Sequence, residues 1–224
     1  EMVELDLVET CNGTVMENAP IIRVSAETGD GIEKLRSTLI KICEGVPNKK
    51  DRGIFRQHVD RVFSMKGYGT VVTGTVNSGS LQIGDSVEII PGGLKARVRG
   101  LQSHNTKVDT VNLGDRAAIN LQGVERNDIS RGNQLATPGF FQSVRQMGVV
   151  LRLLRSVTKP LVQNKRIRIH MGTQEVIARI ALVQNNTLEP GEEGPALLRL
   201  ESPLVAARGD KFIVRSYSPV LTIG

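Results

Sequence analysis

The 224-residue sequence predicts a mainly β fold, two consecutive six-stranded antiparallel β-barrels preceded by a short α/β segment. Three observations carry this. Beyond residue 53 the hydrophobic period becomes two, and short apolar runs alternate with glycine turns. The pairs Gly84-Asp85, Gly114-Asp115 and Gly209-Asp210 each introduce a strand, glycine supplying unusual dihedrals and aspartate bonding its local backbone. Finally, Thr137-Pro138-Gly139 divides the β region into two pieces of about 85 residues, close to the size of one small barrel.

In chain order, Met2, Leu5 and Val8 fall at helical spacing within residues 1–17, with Gly13 weakening any continuation. Asn18-Ala19-Pro20 makes a turn, and Ile21-Ile22-Arg23-Val24 reads as a short buried strand. A helix follows: Asp30 and Glu33 have capping-box spacing, and Ile32, Leu35, Leu39, Ile42 and Cys43 share one face. Gly45 and Pro47 supply its stop. Residues 1–47 thus resemble one strand-loop-helix unit of a larger sheet, too short to complete such a domain. Residues 48–53 form a basic linker, and the barrels are expected over 54–137 and 138–224. Their strands include Thr70-Val71-Val72-Thr73, Val87-Glu88-Ile89-Ile90, Ala117-Ala118-Ile119-Asn120-Leu121 and Arg166-Ile167-Arg168-Ile169.

Composition narrows the function. Lys+Arg 29 against Asp+Glu 23 gives a net charge of +6, which favours polyanionic partners. Aromatic residues at 3% and the absence of tryptophan argue against a base-stacking platform, so nucleic acid would be held mainly by its phosphates. No run approaches the ~18 apolar residues of a spanning helix, and the acidic start lacks a signal-peptide layout, so a cytoplasmic protein without membrane contact is expected. Cys11 and Cys43 lie apart with no partner at metal-ligand spacing, and read as reduced thiols. Neither His58, His104 nor His170 has a nucleophile at a readable spacing, so no catalytic residue and no metal site are expected.

Basic residues alternate along two strands. Lys95, Arg97 and Arg99 share a face opposite Ala96 and Val98, and Arg166, Arg168 and His170 one opposite Ile167 and Ile169. Such stripes suit tRNA phosphates, and equally a solvated outer face.

Motifs give the sharper signal. Ser25-Ala26-Glu27-Thr28-Gly29 resembles the last nucleotide-binding motif of translational GTPases, in which Ser25 and Ala26 would lie beside the guanine. The phosphate loop G-x-x-x-x-G-K-S/T and the base-reading Asn/Thr-Lys-x-Asp are absent. Gly67-Tyr68-Gly69 is no dinucleotide fingerprint, since Val72 holds the third glycine position and no helix follows. The run Val59-Asp60-Arg61-Val62-Phe63-Ser64-Met65-Lys66-Gly67-Tyr68-Gly69-Thr70-Val71-Val72-Thr73-Gly74, continued by Ile83-Gly84-Asp85, resembles the second domain of the elongation factor Tu superfamily. Arg131-Gly132-Asn133-Gln134-Leu135-Ala136 resembles that domain's end. Gln163-Asn164-Lys165-Arg166-Ile167-Arg168-Ile169-His170-Met171-Gly172 and Arg215-Ser216-Tyr217-Ser218-Pro219 are similar to the third domain of bacterial selenocysteine-specific elongation factors.

This resemblance implies translation-factor barrels, with residues 1–47 the end of a P-loop GTPase domain whose remainder precedes residue 1. It implies binding of selenocysteinyl-tRNA and GTP and delivery of the tRNA to the ribosome at a recoded UGA codon. The messenger hairpin would be bound only through a region following Gly224. GTP and magnesium would serve the full-length parent, a GTPase. This chain alone is expected to be a monomer, neither binding nor hydrolysing the nucleotide. Carried over by position, Asp60, Arg61 and Arg116 would form the selenocysteine pocket, the acid near the ester-linked amino group and the arginines near selenium. Adjacent residues on a regular strand face opposite ways, so Asp60 and Arg61 can share a pocket only at a bulge or strand end, or through a backbone contact. Two other readings are a general aminoacyl-tRNA elongation or initiation factor, and a GTPase-linked sulfate-activation subunit that uses similar barrels without tRNA.

Overall fold

The computed structural model describes residues 2–47, 51–65 and 67–224, and the chain divides into two compact units, Glu1–Lys50 and Asp51–Gly224. Residues 48–50 of the expected linker lie outside the described residues.

In the first unit α1 (Met2–Cys11) ends just before Gly13, and α2 (Ile32–Glu44) ends at Gly45. Two local expectations are corrected. Ile21–Val24 is not a strand, because no second strand exists among the described residues of this unit to take its backbone hydrogen bonds. Nor do Asp30 and Glu33 cap α2: Gly31 is the N-cap with no side-chain bond, and the Asp30 carboxylate accepts instead from the Thr28 hydroxyl at 2.8 Å. The apolar stripe of α2 is exposed, Leu39 at 51% and Ile42 at 47%. The Arg23 guanidinium grips Glu4 of α1 through two hydrogen bonds at 2.7 and 2.5 Å.

The second unit is all β. Its first half contains β1 (Arg56–His58), β2 (Arg61–Met65), β3 (Gly69–Ser78), β4 (Ser80–Gln82), β5 (Ser86–Ile90), β6 (Leu94–Ser103), β7 (Thr106–Val108), β8 (Thr110–Asn112), β9 (Arg116–Gln122) and β10 (Gln134–Ala136). Strands β1-β10-β5-β6-β9-β3 run antiparallel in that order and close because β1 also pairs with β3, giving a six-stranded barrel with β2 added outside β3. Closure needs Gly74: a Cβ there would lie 2.0 Å from the His58 carbonyl oxygen. Inward residues such as Val72, Val76, Val87, Ile89, Val98, Ile119 and Leu135 are all buried. Each large aliphatic side chain so buried contributes about 1.5–3 kcal/mol.

The second half contains β11 (Ser143–Arg152), β12 (Leu161–Val162), β13 (Arg166–Met171), β14 (Gln174–Leu182), β15 (Thr187–Leu188), β16 (Glu193–Val205) and β17 (Ile213–Ser216). The sheet order is β11-β16-β14-β13-β17, five strands where the spacing predicts six, while β12 and β15 pair with each other. Ile167, Ile169, Ile180, Leu198 and Val214 fill its core. Among the described residues no strand pairs across Thr137-Pro138-Gly139.

The Gly-Asp echo has a single structural cause. Asp85, Asp115 and Asp210 accept the backbone N–H three residues earlier, from Gln82, Asn112 and Ala207, at 2.8, 2.8 and 2.9 Å. The third also joins the halves. Arg56, 4% exposed, pairs with Asp210 at 2.7 Å, donates to Gln134 Oε1 at 2.6 Å and to the Val205 carbonyl at 3.2 Å, and lies over the Phe141 ring.

Beside this joint, burial first, and then the Arg56 charge, push the His58 imidazole down to about 4, with Asp210 opposing them. The folded chain therefore takes up this proton later than the unfolded chain does. Stability is complete above the unfolded value of about 6.5 and is lost as pH falls towards 4. Urea unfolding at pH 5 should show about 2 kcal/mol less stability than at pH 7 from this group, and His58→Gln should flatten that difference. An unchanged pH dependence in the variant would contradict the assignment.

Candidate functional site

The chain leaves β1 at His58 and enters β2 at Arg61, so Val59 and Asp60 belong to neither strand. Here the strict alternation of side chains lapses, and Asp60 and Arg61 come to the same outer face of the barrel. Asp60 N–H donates to the Thr73 carbonyl at 2.9 Å, and the Thr73 hydroxyl donates to Asp60 Oδ1 at 2.8 Å. Arg61 stands opposite Thr73 in the β2–β3 register, and Arg116 opposite Thr75 in the β3–β9 register, which places both arginines on the face of Thr73. Arg116 pairs with Asp60 Oδ2 at 2.5 Å. Burial alone would raise the Asp60 carboxyl. Hydrogen bonds from Arg116 and Thr73, then the charges of Arg116 and Arg61, outweigh it and hold the group below the usual carboxylate value. Asp60, Arg61 and Arg116 thus form one cluster with an excess positive charge.

One rung further along the same face lies a groove of about 770 Å³, lined by Phe63, Met65, Tyr68, Val71, Arg99 and Ala118 among others. Ala118 lies opposite Thr73 in register, so the groove adjoins the Asp60 cluster. Within its lining, Asn120 Nδ2 donates to the Tyr68 carbonyl at 2.6 Å. Sequence reasoning did not find this groove. The available signal was Phe63 and Met65 following Arg61 at spacing two, which puts large apolar side chains on a charged, outward face.

Both basic stripes face outward, though their members differ. Lys95, Arg97 and Arg99 are exposed, Arg97 donating to the Gly84 carbonyl at 3.1 Å. A bulge between Val98 and Gly100 turns Arg99 towards the groove. Arg166 pairs with Glu201 at 2.6 Å, Arg168 pairs with Glu175, and both guanidinium groups lie over the Tyr217 ring. The pairing holds Arg166 above its ordinary value and Glu201 below its own. Register adds two cations that the sequence did not single out: Arg166, Arg179 and Arg199 form one rung across β13, β14 and β16.

The Ser25 and Ala26 loop lies in the other unit. Ser25 N–H donates to the Asp30 carbonyl at 3.0 Å, and the Ser25 hydroxyl accepts from Thr28 N–H at 3.2 Å, closing a tight turn. The phosphate-loop pattern G-x-x-x-x-G-K-S/T does not occur in the 224-residue sequence.

The family model for elongation factor Tu domain 2 matches residues 69–136. That for the β-barrel domain of selenocysteine-specific elongation factor matches residues 149–224. The chain belongs to the selenocysteine-specific elongation factor family. It is 38% identical to the selenocysteine-specific elongation factor of Desulfomicrobium baculatum, over 100% of this chain and 36% of the relative. Identity to that of Escherichia coli is 30%, over 96% of this chain and 33% of the relative. The crystal structure of a bacterial selenocysteine-specific elongation factor, EF-Sec, superposes with a TM-score of 0.84 at 30% identity, covering all of this chain and 36% of that one. The chain therefore spans about a third of these relatives.

Proposed function

We propose that this chain forms the part of a translation elongation factor that holds the selenocysteinyl end of its tRNA. The observation that carries the reading is the Asp60 cluster: one carboxylate between two arginines, on an outer face, beside an apolar and aromatic groove. A selenocysteinyl ester presents an amino group that a carboxylate can accept from and a selenolate that a guanidinium can pair with. The ester joins the amino acid to the terminal nucleoside, which must then lie within a few ångströms, where the groove is. Phosphates of the acceptor arm would meet the outward cations Lys95, Arg97 and Arg99, and on the second barrel Arg166 and Arg168. The ion pairs of the last two leave them partly neutralised.

Within the whole protein the reading extends to GTP and magnesium, with Ser25 and Ala26 beside the base, and to delivery at the ribosome.

Filter binding of selenocysteinyl-tRNA against seryl-tRNA tests the reading. Preference for the former by about 100-fold is expected, with both affinities falling steeply as salt rises, because phosphate contacts release counterions. Equal binding would make the chain a general aminoacyl-tRNA carrier. Failure to bind either, in protein joined to its nucleotide-binding region and loaded with GTP, would leave the barrels an assembly scaffold.

A further inference from the structure

The turn joining β13 to β14 belongs to the second sheet, yet it reaches the first barrel at the peptide that carries Asp60. The Thr173 hydroxyl donates to the Val59 carbonyl oxygen at 2.7 Å, and Gly132 N–H donates to the same oxygen at 3.1 Å. Both acceptor directions of that carbonyl are thereby used. At the other end of the same peptide unit, Asp60 N–H donates to the Thr73 carbonyl at 2.9 Å. The Val59–Asp60 peptide plane is thus held at three points, one of them from the other sheet.

Close packing reinforces the contact. Gly172 has φ +57, and a Cβ there would lie 2.4 Å from the His58 ring, so the turn can press on β1 only with glycine at this position. Gly132 in turn packs against Gln174, where a Cβ would approach within 3.2 Å. The peptide plane sets the direction of the next Cα–Cβ bond. Asp60 Oδ1 accepts from the Thr73 hydroxyl at 2.8 Å and Oδ2 pairs with Arg116 at 2.5 Å, and hydrogen bonds weaken steeply with misalignment. A small rotation of the plane would degrade both.

We propose that Thr173 is a positioning residue for the amino-acid pocket, through which the second sheet sets the selectivity of the first barrel. Thr173 fixes the Val59–Asp60 peptide whatever the ligand. The effect on selectivity rests on the proposed function.

Two variants separate hydroxyl from shape: Thr173→Val keeps the volume and removes the donor, whereas Thr173→Ser keeps the donor. Carbon-13 titration of the Asp60 carboxyl is read first, with no tRNA present. In Thr173→Val the Asp60 titration should move up towards the ordinary carboxylate value, and in Thr173→Ser it should stay with the parent. The preference for selenocysteinyl- over seryl-tRNA should fall about fivefold in Thr173→Val, the effect of one ordinary hydrogen bond, and recover in Thr173→Ser. An Asp60 titration unmoved in Thr173→Val overturns the proposal even if melting temperature drops, since a merely structural contact would do only that. Equal effects in both variants overturn it as well. If the parent protein prefers neither tRNA, the functional reading fails, and the carboxyl titration still decides the positioning claim.

Discussion

Replacing Arg116 by alanine is expected to weaken selenocysteinyl-tRNA binding tenfold or more while leaving seryl-tRNA binding nearly unchanged. Without ligand, Arg116 and Asp60 satisfy each other at 2.5 Å. A ligand carrying both an ammonium and a selenolate can exchange into this pair, the ammonium going to Asp60 and the selenolate to Arg116. A selenol is more acidic than a thiol, whose pKa is about 8.5, and is largely ionised at neutral pH, whereas serine has no anion to offer. At an effective dielectric of about 20 and about 5 Å, one arginine would favour the selenolate by about 3 kcal/mol before desolvation. Arg116 is 52% exposed, so solvent screening removes much of this. Half surviving corresponds to about tenfold. Arg61, whose charge also acts on Asp60, should behave similarly when replaced by alanine. Folding should barely suffer, because exposed ion pairs contribute about 0–1 kcal/mol, so binding and stability are separable in the same variant. The assay uses the protein with its nucleotide-binding region and GTP. Equal losses for both tRNAs would make Arg116 a phosphate contact, and no loss for either would leave it an ordinary surface ion pair.

How much of this site the sequence discloses depends on which interaction orders each residue. Strand alternation and the Gly-Asp turns are local, and both are legible: Ile167 and Ile169 point inward as the period requires, and the three aspartates close three equivalent turns. Ile21–Val24 has the strand pattern without becoming a strand, since pairing is supplied by a neighbour and not by the segment itself. The conflict between Asp60 and Arg61 is visible in the sequence, but its resolution lies in where β1 stops pairing, which depends on β3 and β10. The groove draws Phe63, Arg99 and Ala118 from three strands whose register no local pattern states. Arg56 left no trace at all, because a charged residue near a strand start reads as surface, and only the assembled joint shows it buried.

That burial sets the largest expected loss of stability. Substituting Asp210 by asparagine should destabilise the Asp51–Gly224 unit by about 3 kcal/mol, at the lower end of values for breaking a buried ion pair. The Arg56 side chain is 5% exposed and Asp210 23%, so the guanidinium left behind would be desolvated without its counterion, while some water reaches the acid. Asparagine keeps an acceptor for Ala207 N–H, so the turn survives and the charge alone is removed. Gln134 Oε1 and the Val205 carbonyl still accept from Arg56, but neutral acceptors compensate a buried cation only in part. Urea unfolding at pH 7 gives the measurement, with a lower midpoint at an unchanged denaturant slope. Combining Asp210→Asn with Arg56→Met should recover much of the loss, because an unbranched apolar side chain of similar length requires no counterion and can remain against Phe141. If the double variant is instead less stable than Asp210→Asn alone, Arg56 holds the joint chiefly through Gln134, Val205 and the Phe141 ring, and the charge of Asp210 is incidental to it.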